Sequence, residues 1–128
     1  MAGRIEGCFI QPSMKLIFNV QIAKLENCEW KEEPTRLINE IYPWSAALST
    51  AGGEEALICF DMKSNKKCEL FDGTSTVSTH EANFQHDGGK LGLYKGQPTT
   101  VGSYSWEGQN KVETLSSSGW SFLGDFPR

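Results

Sequence analysis

Two short segments of this chain repeat each other at a distance of 90 residues: Ile22-Ala23-Lys24-Leu25 followed by Trp30, and Val112-Glu113-Thr114-Leu115 followed by Trp120. Each has the same five-residue step from Leu to Trp. Between them, Cys68-Glu69-Leu70-Phe71 aligns on the second copy at a shift of 44, and residues 56–60 align on 98–102 at a shift of 42. Self-similarity at a fixed period constrains a fold more tightly than composition does. Each copy must build the same supersecondary unit and stack on its neighbours to bury a face that it cannot bury alone. A period of about 44 residues lies in the range of four-stranded propeller blades.

The residues between the repeats read as strands. Ser, Thr and Gly are abundant, and short apolar or β-branched stretches alternate with turn residues every 8–12 positions, which predicts an all-β, antiparallel chain. The expected strands are 45–50, 56–62, 67–72, 75–82, 90–95, 98–103, 111–115 and 120–123. Lys63-Ser64-Asn65 and Gly108-Gln109-Asn110 are polar turns that predict local hairpins. The helix candidate is 35–42, where Thr35 would cap and Leu37, Ile38, Ile41 and Tyr42 would share a face. Pro34 and Pro43 bracket it so closely that a single turn in a connection fits equally well.

The third copy is the fullest: Leu91-Gly92-Leu93-Tyr94, Pro98-Thr99-Thr100-Val101-Gly102-Ser103, Lys111-Val112-Glu113-Thr114-Leu115, Gly119-Trp120 and Asp125-Phe126-Pro127. It resembles the kelch repeats, whose blades run as a strand ending in Gly, a polar loop, a strand carrying Val-Glu, and a Trp before the last strand. The similarity is to the divergent, cysteine-bearing kelch-type repeats of extracellular animal proteins. It departs from the family in two places. The paired glycines are reduced to Gly102-Ser103 and, one copy earlier, to Phe60-Asp61, and that earlier copy has no Trp near Thr74. The resemblance implies a partial β-propeller of about two blades, and the alternative is a β-sandwich in which Trp30 and Trp120 are unrelated core aromatics. The expected division is an N-terminal segment at 1–17, a partial blade and connection at 18–43, a blade at 44–86 and a second at 87–128. Propellers close with about four to eight blades. Two blades therefore imply a fragment of a larger propeller, self-association through open blade edges, or capping by the N-terminal 17 residues.

The four cysteines, Cys8, Cys28, Cys59 and Cys68, allow three pairings. Cys59 and Cys68 flank the turn at Ser64 and Asn65 on adjacent expected strands, which favours a bridge between them and leaves Cys8 with Cys28 as the weaker pair. Four reduced thiols are the alternative. The pairing and the family resemblance favour an extracellular location, although no secretory signal is visible at the N-terminus or after Met14.

Several chemistries fit the residues poorly. A formal charge of −4 without a Lys/Arg cluster beyond Lys66-Lys67 argues against nucleic acid, and no apolar run approaches the length of a membrane-spanning helix. There is no Cys-x-x-Cys pair for a metal, so no metal or cofactor is expected. His80 beside Glu81 and His86 beside Asp87 fall between blades and read as solvated loop histidines. Gly88-Gly89-Lys90 lacks the earlier Gly of a phosphate loop, and Leu91 stands where Ser or Thr would meet the metal, so it reads as a tight turn. The expected function is a non-enzymatic protein interaction or scaffold module, with a carbohydrate-binding or metal-dependent catalytic propeller fragment as the alternative. The expected contact residues are Trp106, Tyr104, Lys63, Lys66 and Lys67, which lie in polar loops between rigid strands.

Overall fold

The computed structural model describes residues 2–4, 15–18 and 21–127. The described residues form an all-β, antiparallel fold with three separate sheets. The first contains β1 (Ala2–Arg4), β2 (Lys15–Phe18), β3 (Gln21–Glu26) and β4 (Glu29–Arg36), in the spatial order β1-β4-β3-β2. The second is a meander of β5 (Ala46–Thr50), β6 (Glu55–Cys59), β7 (Cys68–Phe71) and β8 (Thr76–Ser78). The third repeats that meander with β9 (Lys90–Tyr94), β10 (Gln97–Val101), β11 (Lys111–Ser116) and β12 (Gly119–Asp125). The segment expected to stand apart at 1–17 thus contributes β1 and most of β2 to the first sheet.

The matched residues of the repeat are cross-strand neighbours. Leu25 lies opposite Trp30, and Leu115 lies opposite Trp120, in both cases across the last hairpin of the repeat. The same position in the second sheet holds Phe71 opposite Thr76. Bulk has moved from one strand to the other: where Trp120 supplies the large ring in the third sheet, Phe71 supplies it in the second, and both rings are buried. This accounts for the missing Trp near Thr74.

Backbone pairing outside the strands repeats as well. Phe60 N donates to Lys67 O and Gly102 N to Lys111 O, each at 3.0 Å; Ala82 N donates to Lys66 O at 2.8 Å and Phe126 N to Asn110 O at 2.9 Å. Phe60 has φ 55° and Gly102 has φ 80°. The turn after the second strand of the second and third sheets therefore requires a left-handed residue, which costs Gly little and an L-residue about 1 kcal/mol or more. Phe60 tolerates it because its ring is buried against His86 and Trp120, with centroids 5.2 and 5.7 Å away.

The second sheet is buried on both faces, as the strict alternation of a strand requires when neighbours lie on either side. Ala56, Ile58 and Phe71 pack with Ile22, Leu37 and Ile41 towards the first sheet. Leu57, Cys59, Cys68 and Leu70 pack with Ala82, Leu91, Leu115 and Trp120 towards the third. Cys59 and Cys68 lie opposite each other in the β6–β7 register and form the expected disulfide, with Cα atoms 4.1 Å apart. Cys28 is also disulfide-bonded, and Cys8 lies outside the described residues.

No helix forms at 35–42. Its amide donors are taken from outside: Ile38 N and Asn39 N donate to the Glu69 carboxylate, and Tyr42 N donates to Asp61 Oδ2. A tertiary carboxylate thus wins over an eight-residue helix too short to be stable alone. Pro34 instead sits within β4, beside a register irregularity opposite Gln21–Ala23 and past the end of the pairing with β1, where its missing N–H costs no ladder bond.

Candidate functional site

Two groups of polar and aromatic residues stand out, one buried and one exposed. The buried group is built on the Glu of the repeated strand. Glu113 of β11 is fully buried and accepts from Asn83 N at 2.9 Å, Asn83 Nδ2 at 2.8 Å and Phe84 N at 3.1 Å. Glu69 of β7 accepts from Asn39 N at 2.7 Å, Asn39 Nδ2 at 3.1 Å and Ile38 N at 3.1 Å. Asn39 and Asn83 are 44 residues apart, as are Glu69 and Glu113. Each carboxylate ties the connection arriving from the preceding sheet to the third strand of its own sheet.

The third sheet adds a histidine to this clasp. His86 is fully buried rather than solvated, because its loop folds back under the sheet: Nε2 lies 2.6 Å from Glu113 Oε2 and Nδ1 lies 2.8 Å from Gly102 O. Each ring nitrogen therefore faces an oxygen acceptor, one a backbone carbonyl and the other a carboxylate. Burial alone would raise the pKa of Glu113, but the hydrogen bonds from His86, Asn83 and Phe84 outweigh it and hold the carboxyl below its ordinary value. A histidine–carboxylate pair suggests general-base chemistry, yet neither ring nitrogen is free and no solvent reaches them. The pair is a fastener. His80, by contrast, is exposed, with Nε2 3.3 Å from Ser117 O. Among the described residues no group of three or more His, Cys, Asp or Glu is arranged to hold a metal ion.

The exposed group lies on the loops after β6 and β10 and on the segment just before β5. Tyr104 is 71% and Trp106 80% exposed, the latter opening a 3-10 turn at Trp106–Gly108. Trp44, just before β5, stacks on Tyr104 with centroids 4.4 Å apart and the planes tilted by 35°. Gly88 lies beneath this pair with φ 77°, and a Cβ there would stand 3.2 Å from the Tyr104 Cβ and 3.9 Å from that of Trp44. The backbone is fixed at the same point. Gly88 N donates to Trp44 O at 2.9 Å, and Tyr104 N to Asp87 O at 2.6 Å. The buried Asp87 carboxylate also accepts from Ser103 Oγ and Ser105 Oγ, at 3.1 and 2.8 Å. The Gly88-Gly89-Lys90 turn thus supports the aromatic pair, and a Cβ at Gly89 would collide with the Val101 and Gly102 carbonyls.

The lysines of the expected site are dispersed around these loops. Lys66 pairs with Glu107 at 3.2 Å, joining the two loops. Lys63 lies over the Tyr42 ring with Nζ 4.9 Å from its centroid, and Lys67 is exposed. Sequence reasoning missed Trp44, Gly88 and both Glu–Asn clasps. The 44-residue recurrence of Asn and Glu was the signal that could have found the clasps.

No family model and no curated protein matches this chain.

Proposed function

We propose that this chain is a non-enzymatic scaffold of stacked, kelch-like blades that binds another protein through the aromatic loops at one end. The observation that carries the reading is the Trp44–Tyr104 stack, two large rings left 45% and 71% exposed on loops whose backbone is held by Asp87 and Gly88. Aromatic side chains on rigid supports are the usual anchors of protein interfaces, since they bury large areas at low entropic cost. Blade-like stacking, rather than a sandwich, is supported by two facts. The core runs in series through both faces of the second sheet, and β5 and β9, the first strands of successive sheets, pack together.

The test compares the wild type with Tyr104→Ala and Trp106→Ala in cross-linked capture from an extracellular fraction, with a glycan array run in parallel. The expected result is a protein held by the wild type and lost at least tenfold from both variants, with melting temperatures unchanged. A captured protein retained by both variants overturns the reading. Flat, exposed aromatic faces also suit sugar rings, so array binding that Tyr104→Ala abolishes assigns the patch to a saccharide instead.

A further inference from the structure

The third sheet has one covered face and one open face. The covered face carries Thr100, Glu113, Leu115 and Trp120, and it packs on the second sheet. The opposite face carries Thr99, Val101, Val112 and, from the irregularity in β12, Leu123, around a groove of about 430 Å³. Val101 and Val112 occupy the repeat positions of Cys59 and Cys68, and Thr99 that of Leu57. On the second sheet these positions are buried beneath the third. The open face is therefore the next member of an interface that the chain has already made, and its natural cover is a surface led by a Trp in the position of Trp120.

The chain carries one such surface. Trp30 lies opposite Leu25 as Trp120 lies opposite Leu115. Ile22, three positions before Leu25, packs into the core towards the second sheet. By its equivalence to Trp120, which faces the preceding sheet, Trp30 belongs to the opposite face, and it is absent from that core. Trp30 is only half-buried. We propose that the open face of the third sheet receives the Trp30 face of the first sheet of a second copy of this chain. Two copies of the three described sheets, joined in this way, make six blades, within the range of about four to eight over which blades close. Each contact is heterologous, and the ring needs two of them.

This inference rests on the stacked-blade reading but not on the role of the aromatic loops. A monomer that still captures a protein through Tyr104 overturns only the inference, and loss of capture by a dimer overturns only the loops. The experiment is molar mass by light scattering of the unreduced chain, beside Val112→Asp, Val101→Asp and Trp30→Ala. The wild type should have twice the chain mass of 14.2 kDa, and each variant should be a folded monomer by circular dichroism. An equimolar mixture of Val112→Asp and Trp30→Ala should form pairs held by one intact contact, since one copy keeps its Trp30 face and the other its open face. Val101→Asp keeps the test decisive if Trp30→Ala fails to fold. A monomeric wild type, or a dimer insensitive to both aspartates, overturns the proposal.

Discussion

His86 Nε2 and Glu113 Oε2 lie 2.6 Å apart with no solvent access to either side chain, and the carboxylate is also bound by Asn83 and Phe84. Removing the carboxylate leaves His86 Nε2 and the Asn83 and Phe84 amides buried without their acceptor. Glu113→Ala should therefore cost about 3–5 kcal/mol, measured by urea unfolding at neutral pH. Glu113 has a folded pKa below its ordinary value of 4.5, so its contribution is fully present above that value and is lost as pH falls through the folded one. The denaturation midpoint of the wild type should drop as the pH falls below 4.5, and that of Glu113→Ala should drop less. Asp72, held at about 2 by the Ser75 and Thr74 backbone amides, carries the same sign at lower pH.

Thr100 is fully buried and its Oγ1 has no hydrogen-bond partner. Its repeat position in the second sheet holds Ile58. Thr100→Val keeps the shape and removes the unpaired hydroxyl, and it should raise stability by about 1 kcal/mol. An unchanged or lowered unfolding midpoint would count against this.

Trp120 and Trp106 should respond oppositely to truncation. Trp120 packs on Phe60 and donates from Nε1 to His80 O at 3.0 Å, so Trp120→Ala should cost about 3–5 kcal/mol. Trp106 is largely in solvent, and Trp106→Ala should stay within about 0.5 kcal/mol of the wild type by thermal unfolding.

The Cys59–Cys68 bridge joins two buried strand positions that hydrophobic packing already holds together. Replacing both by Val should lower stability by about 2 kcal/mol, the value for closing a short loop, while leaving the far-ultraviolet spectrum unchanged. A loss of strand signal would mean that the bridge is needed for the second sheet to form.

The repeat was legible because its spacing records cross-strand neighbours: Leu115 and Trp120 face each other, and a five-residue step fixes a two-residue turn between them. Strand positions and the Cys59–Cys68 bridge followed from the same local geometry. Much of what stayed hidden was held by backbone amides, which no residue type announces; only the recurrence of Asn and Glu at 44 residues pointed to the clasps. Ile38 and Asn39 look helical until Glu69, thirty residues on, takes their N–H groups. His86 looked like a loop residue because its two acceptors, Gly102 O and Glu113, lie 16 and 27 positions away. Trp44 falls just outside the expected strand 45–50, and only the fold brings it onto Tyr104.

The Asn–Glu clasp lies wholly within one period, since Asn39 to Glu69 and Asn83 to Glu113 each span 30 residues. A tandem duplication of a segment from just before the Asn to just after the Glu therefore carries the fastener along with the part it fastens. Arrays of such units could lengthen by copying alone, with each newcomer already equipped to hold its own arm.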